Sequence, residues 1–484
     1  MSKLFCIAAG QEHTRKTAHA VNKKHLYLNY GLLSLATLIS KRDVDVIQIQ
    51  GNFDEAQQTF DTCNREGLTE TEMPIFVSIP SFYAVSWAKK FIALVKSQMS
   101  HRTVIVGGRW VVDGRPDLLR NVLEQADMIV EGLAEGQMEG LFQKYILPHV
   151  GNKKIRLMQA TKVLSTLDYS LLSNRNQYQP SIEVSRGCGM GCSFCQEKDE
   201  PLSKLKPAEI ILSELSEILI SDELGPMNPY FEASIFAPSR TWSENLASAF
   251  KSANFSIEWR TEARVDSITP KTLEILAQTG LKVIDLGLES ASPIQLSRMQ
   301  KSKSPEQYLK KASALLKSAK ENGIRVKVNI LLFAGETKDT FDATLEWLET
   351  HRQYIEGVSV GPVMVFGWPD NTISYLEELC SYGASVSNRS QVIGVREINL
   401  SKEIDAQGAH ELAIQASKRF MTAESYFFLK SFSYLPRSYK YSSFIDYVQA
   451  ADKNFSFSVK RGFKNPIEFT NATSTEPLNA YPSK

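Results

Sequence analysis

VSRGCGMGCSFCQE, residues 184–197, places Cys188, Cys192 and Cys195 inside eight positions, separated by three and then by two residues. The segment SIEVS that leads into it has the pattern of a short β-strand, so the three thiols stand in a loop at a strand's carboxyl end. A structural zinc ion also favours clustered thiolates, but it needs a fourth ligand, and no histidine lies between His149 and His351. An iron–sulfur cubane fits better, because such clusters are held by cysteine thiolates in tight loops of this kind. Three ligands leave one iron open, and an open metal position marks a catalytic rather than a structural site. Gly187, Gly189 and Gly191 let the loop wrap a cluster closely, and Phe194 is placed to shield it from water.

Outward from the loop, β and α patterns alternate. SIEVS, YFEASIF, SIEWRTEA, KVIDLGLE, RVKVNILLF and GVSVGPVMVF read as strands, with helical segments such as PAEIILSELSEILIS and TPKTLEILAQTG between them. Six β/α units predict a partial (β/α)6 barrel over residues 181–372, with its site at the strands' carboxyl ends. Residues 1–150 show a second alternating series, KLFCIAA, VDVIQIQ, PIFVSIP, TVIVGG and DMIVEG, which predicts a doubly wound parallel, Rossmann-like sheet. A polar stretch, 151–180, links the two. Residues 373–484 are expected to be mainly helical, with AHELAIQASKRFMTAESYFFLKSF as the best single helix and the last twenty residues loosely ordered. The aromatics Tyr426, Phe427, Phe428, Phe432, Tyr434 and Tyr439 read first as core packing and second as a wall closing the bottom of the barrel. The fold class is α/β.

Composition sets the background. A chain of 484 residues that is 43% apolar has ample material for several buried cores. Its 55 Lys and Arg against 54 Asp and Glu, net charge +1, supply no overall footprint for nucleic acid, which is not an expected partner. No apolar run reaches the roughly 18 residues of a membrane span, and the amino-terminal segment is too short for a secretory signal. Cys6, Cys63 and Cys380 are scattered, not a disulfide framework, so the expected compartment is a reducing cytoplasm.

Cys188-x3-Cys192-x2-Cys195, following a strand and preceded by Ser185-Arg186-Gly187, resembles the cluster loop of radical S-adenosylmethionine (SAM) enzymes. RTEARVDSITPKTLEILAQTGLKVIDLGLESASPIQLSRMQK and GIRVKVNILLFAGET extend the likeness over about residues 176–370, towards the elongator and coproporphyrinogen dehydrogenase type. The resemblance implies a [4Fe-4S] cluster on the three cysteines, SAM chelated at the open iron, and its reductive cleavage to a 5′-deoxyadenosyl radical. It also implies an electron donor such as flavodoxin or ferredoxin. Glu262 matches a position that accepts from the ribose hydroxyls, and Glu289 and Lys301 match positions lining the cosubstrate pocket, where a cation would pair with the methionine carboxylate. The plain alternatives are a solvated Lys301 and a Glu262 paired with Arg264. Gly335 and Glu336 resemble the adenine-side turn, where a glycine permits close backbone approach but a plain turn asks for it too. The turn after the second barrel strand departs from the family: in FAPSRTW, Ser239 is the one small polar side chain, which would leave the methionine amino group to backbone carbonyls.

The first domain resembles the cobalamin-binding-type domain of a large branch of these enzymes, through LNYGLLSLATLI (28–39), VIVGGRWV (104–111) and DMIVEGLAEG (127–136). Gly107 and Gly108 at a strand end would admit a ligand close to the backbone, and Ser78 ends the central strand with a hydroxyl. The branch's Asp-x-His-x-x-Gly signature is absent, the nearest histidine being His13, so bound cobalamin would be base-off with no histidine on cobalt, and an empty, purely structural domain is the alternative. Two functions follow. One is cobalamin-dependent methylation of an unreactive carbon in a small molecule or peptide; the other is a cobalamin-free oxidation, cyclisation or rearrangement. A methylthiotransferase of transfer RNA fits poorly, because only Cys6 and Cys63 lie in the first domain. A sensor or scaffold would leave the SAM positions degenerate, and they are largely intact.

Overall fold

The computed structural model describes residues 3–12, 20–150, 166–220, 227–387, 392–450 and 455–459. They form two compact units, the first from Met1–Tyr178, Val392–Val395 and Tyr434–Ser438, the second from Gln179–Gln391, Arg396–Ser433 and Tyr439–Lys484. His13, the first half of the 151–180 linker and all of the last twenty-five residues lie outside the described residues.

The first unit holds strands β1 (Lys3–Ala8), β2 (Asp45–Gln50), β3 (Ile75–Ser78), β4 (Val104–Gly107) and β5 (Met128–Val130), all parallel in the order β2-β1-β3-β4-β5. Helices cover both faces of such a sheet, which explains why its strands are near-continuous apolar runs: Leu4, Phe5, Cys6 and Ile7 are all buried. Strand order reverses between β1 and β3, and the strands end level there. Gln50 pairs with Ala8, Ala8 with Ser78, Ser78 with Gly107 and Gly107 with Val130. Asn29 caps the helix Tyr30–Ser40 by accepting from Leu32 N (3.0 Å) and donates its Nδ2 to Ser78 Oγ (3.0 Å), tying that helix to the sheet edge. The late segments join the unit through backbone and rings: Leu26 N donates to Tyr434 O (2.6 Å), and the Tyr27 and Tyr434 rings lie 4.8 Å apart.

The second unit is built on β6 (Ser181–Glu183), β7 (Tyr230–Glu232), β8 (Trp259–Arg264), β9 (Leu281–Glu289), β10 (Arg325–Leu332) and β11 (Gly357–Pro362). They are parallel and strictly sequential, β6 to β11, the partial barrel that six β/α units predict. The edge strand β11 is covered by the helix Ala406–Phe420, whose Ser417 Oγ accepts from Val360 N (3.0 Å) and so satisfies an edge donor.

The expected long helix from Ala409 into the aromatic tail is two helices, Ala406–Phe420 and Ala423–Ser431. Met421 turns to extended backbone, where Ser458 N reaches its carbonyl (2.8 Å), and Thr422 Oγ1 caps the next helix by accepting from Ser425 N (3.1 Å). A capping threonine and a neighbouring strand-like segment outcompete the continuous apolar pattern. Tyr426 is buried against Phe457 (ring centroids 4.4 Å apart) and Phe444, in keeping with the packing reading of the aromatics. Among the described residues no helix is long and apolar enough to cross a membrane.

After β10 the chain turns through Gly335 and Glu336 into the helix Lys338–Thr350. Glu336 is 2% exposed; its carboxyl accepts from Thr340 Oγ1 (2.6 Å) and from Phe333 N (3.3 Å). Burial disfavours its charged form and pushes its pKa up to about 7.

Two outcomes are expected. Gly108 has φ +143°, and a Cβ there would lie 2.2 Å from the Ile79 carbonyl oxygen, whereas Gly114 (φ +68°) has nothing within 4 Å. In urea unfolding, Gly114→Ala should cost only the about 1–2 kcal/mol of a left-handed alanine. Gly108→Ala should cost more, and equal losses would show that the Ile79 contact relaxes freely. Glu336, protonated more readily folded than unfolded, contributes stability below about pH 4.5 that is lost as pH rises through about 7. The wild type should therefore lose up to about 1.4 kcal/mol per pH unit across that window relative to Glu336→Gln. Parallel stability profiles would contradict the buried-carboxyl account.

Candidate functional site

The cysteine loop leaves the carboxyl end of β6 and folds back on itself through backbone bonds. Cys188 N donates to Glu200 O (2.9 Å), Gly191 N to Lys198 O (3.2 Å) and Ser193 N to Met299 O (3.0 Å). Gly187, Gly189 and Gly191 all take left-handed φ (75°, 64° and 72°), and a Cβ on Gly187 would meet Pro201 O at 2.2 Å. Their role is thus to let the loop close on itself as well as around a ligand. Cys192 is buried, Cys188 and Cys195 are half-buried, and all three line one pocket with Phe194.

Among the described residues no three His, Cys, Asp or Glu side chains converge as ligands of a single metal ion. Three cysteine thiolates in one loop with no histidine beside them are a donor set that fits a polynuclear cluster, which takes each thiolate on a different iron. Burial pushes the Cys188 and Cys195 thiols up, while Arg264 and Lys301 act on Cys188 in the opposite sense.

The strands of the barrel deliver the rest of the pocket. Glu262, near the end of β8, presents an exposed carboxylate to it. Glu289 ends β9 and Lys301 follows the short helix Pro293–Arg298; the two are joined at 3.1 Å with Lys301 only 5% exposed. Glu289 is held at φ +68°, rare for a residue with a long side chain, and Gly287 makes room for the pair: a Cβ there would lie 2.8 Å from Glu289 Oε1 and 3.3 Å from Lys301 Nζ. Neither plain alternative survives. Lys301 is not solvated, and Arg264 pairs with Asp266 (2.9 and 3.1 Å) instead of Glu262.

Deeper in the barrel, Asp285 is 1% exposed and pairs with Arg260 and with Lys327 (3.0 Å). Arg260 in turn donates to Leu429 O (3.0 Å) and Ser433 Oγ, bringing the end of the helix Ala423–Ser431 to the barrel interior.

The structure therefore gathers Cys188, Cys192, Cys195, Glu262, Glu289 and Lys301 on one pocket. Gly335 does not line it; its φ is +75°, its carbonyl accepts from Arg298 Nη1 (2.8 Å), and a Cβ would strike that guanidinium at 2.4 Å. Ser78 and Gly107 lie on the level edge of the first unit with Gly108 just past it. Beside them Gln50, 8% exposed, has its Nε2 without a hydrogen-bond partner.

Lys198, Ser234, Asp285, Gly287 and Asn329 line the pocket with nothing in the sequence to mark them, and Arg264 is marked there only as a partner for Glu262. The pattern YFEASIF predicts a strand through Phe236, but β7 stops at Glu232 and Ser234 lines the pocket from the loop beyond it. Ser239 is engaged instead as the cap of the helix Arg240–Ser252, accepting from Trp242 N (3.1 Å). Arg264 follows Arg260 and Glu262 by the two-residue period of a strand, but its partner, Cys192, lies 72 residues earlier.

Residues 182–348 match the radical SAM superfamily. An uncharacterized methyltransferase of Pyrococcus horikoshii is 22% identical over 299 residues, covering 57% of this chain and 64% of that protein. Among solved structures, the cobalamin-dependent SAM radical enzyme OxsB aligns with a TM-score of 0.55 at 18% identity, over 72% of this chain and 52% of its own. TsrM, a radical SAM methyltransferase from Kitasatospora setae, aligns with a TM-score of 0.60 at 14% identity, over 81% of this chain and 80% of its own. The chain spans about half the length of OxsB and just under two thirds of the curated relative. The cysteine loop, strands β7 to β10 and the Glu289–Lys301 pair all lie inside the segment of this chain that matches the radical SAM superfamily.

Proposed function

We propose that this chain is a cobalamin-dependent radical SAM methyltransferase acting on an unactivated carbon of a small molecule or peptide. The observation that carries the radical half is the single pocket uniting the Cys188, Cys192 and Cys195 thiols with Glu262, Glu289 and Lys301. The three thiolates would hold a [4Fe-4S] cluster, which, reduced by a donor such as flavodoxin or ferredoxin, would supply the electron for reductive cleavage of SAM. The protein's part is to orient and exclude. Lys301, set against Glu289, meets the methionine carboxylate; Glu262 accepts from the ribose hydroxyls; Ser234 offers a hydroxyl to the amino group; Phe194 keeps water from the cluster.

Supporting the methylation half is the parallel sheet of the first unit, whose edge at Gln50, Ala8, Ser78 and Gly107 falls where strand order reverses. The unpartnered Gln50 Nε2 and the Ser78 hydroxyl suit the amide-rich rim of a corrinoid. OxsB and TsrM, of similar fold, are a cobalamin-dependent enzyme and a methyltransferase solved with cobalamin. One observation favours the cobalamin-free alternative: Gly108 is demanded by the Ile79 carbonyl whatever the edge binds.

Replacing Cys188, Cys192 and Cys195 together by alanine should abolish iron uptake and SAM cleavage with the protein still folded, since a barrel of this size has its own core. Retention of about four irons per chain would sink the assignment. Glu262→Ala and Lys301→Ala should each weaken SAM binding roughly tenfold or more with the cluster retained, the effect of losing a charge-assisted hydrogen bond. Unchanged affinity in both would refute those roles. After incubation with hydroxocobalamin and gel filtration, the chain should keep a base-off corrinoid, in His13→Ala as in the wild type. No retained corrinoid would favour the cobalamin-free alternative, and loss confined to His13→Ala would contradict the unligated cobalt.

A further inference from the structure

The guanidinium of Arg264 reaches the cysteine loop in a way that no other side chain described here does. Its Nη1 donates to Cys192 Sγ at 2.8 Å. Its Nε and Nη2 grip both carboxylate oxygens of Asp266 (2.9 and 3.1 Å), and Nη2 also donates to the Lys301 carbonyl (2.7 Å). The side chain is 9% exposed. A planar fork fixed at two ends cannot swing away, so the third contact is preset.

The three sulfurs are consequently unequal. Cys192, the most buried, faces a cation; Cys195 receives the Glu197 backbone N–H at 3.4 Å, and Cys188 a backbone N–H from Met190. A charge-assisted hydrogen bond is roughly twice as strong as a neutral one, and exclusion of water strengthens both. Hydrogen bonds and charge at the ligand sulfurs are among the levers that set a cluster's reduction potential.

We propose that Arg264 is a positioning residue that compensates the Cys192 thiolate, raises the reduction potential of the cluster, and ties it to the cosubstrate pocket through the Lys301 backbone. The inference rests on the cluster reading above. A cation beside one ligand sulfur favours the reduced, more negative cluster, so removing it makes reduction harder. The Lys301 carbonyl bond adds a second consequence. The backbone that carries the Lys301 ammonium is held by the same guanidinium, so loosening it reaches both the cluster and the SAM site.

The test uses the full-length holoprotein, with iron content measured first and the reduced cluster followed by electron paramagnetic resonance in a redox titration. Arg264→Gln should show a roughly tenfold lower ratio of reduced to oxidised cluster at a fixed potential, a shift of about 59 mV to the negative for a one-electron couple. Arg264→Lys, which keeps the charge, should shift less than half as far, and Asp266→Asn, which frees one end of the fork, should fall between. SAM binding should weaken in the order of those shifts. A merely structural role would lower iron content while leaving the potential of the loaded fraction unmoved, and that result would overturn the proposal. Should Arg264→Gln take up no iron, unshifted potentials in both Arg264→Lys and Asp266→Asn overturn it equally. A wild type that binds no cluster removes the cluster reading and this inference together; a wild type that binds one, with potentials unchanged in the variants, removes this inference alone.

Discussion

A carboxylate buried inside a β/α barrel must be neutralised from the adjacent strands, and Asp285 is neutralised from both sides. Arg260 reaches it from β8 and Lys327 from β10. Left with one cation, a carboxylate at 1% exposure would retain much of its desolvation cost; breaking such a pair typically costs about 3–5 kcal/mol. The three side chains thus register the middle of the sheet, and Arg260 carries the constraint outward to Leu429 and Ser433, which places the end of a C-terminal helix. Nearer the strand ends stand Glu262 and Glu289, which line the pocket above this floor of paired charges.

Above that floor a second network is shared between the loop and the strands. Lys301 is buried against Glu289 in space kept by Gly287, its carbonyl is held by Arg264, and Arg264 faces Cys192. Loop, β8 and the segment after β9 are therefore not three independent contributors of side chains. Displacing any one moves the others, which is what precise orientation of a reactive cosubstrate asks of a scaffold.

Much of this was legible in the chain. Nine of the eleven strands of the two sheets lie within runs whose pattern announces them, β8 and β9 overrun theirs by one residue each, and the spacing of three thiols in a glycine-rich loop singles out the site. What resisted reading has a physical cause in each case. The break at Met421–Thr422 depends on Ser458, which arrives from elsewhere to bond Met421 O and Ala423 N, so no local pattern reports it. Ser234 was concealed by the early end of β7. Arg264 looked like a partner for Glu262 two residues away, and only the fold brings it to Cys192. Gly108 reads as a ligand-admitting glycine, while the structure supplies a sufficient reason for it in the Ile79 carbonyl.

The composition of the first unit bears on how the chain is made. Most of its sheet is encoded before residue 178, yet Tyr434–Ser438 belong to it and are translated 260 residues (438 − 178) later. At roughly 5–20 residues per second, a ribosome takes about 13–52 s to cover that distance. During that interval the backbone carbonyl partner of Leu26 and the ring that packs on Tyr27 do not yet exist. The first unit therefore gains its last backbone and ring contacts only after the barrel strands have been synthesised.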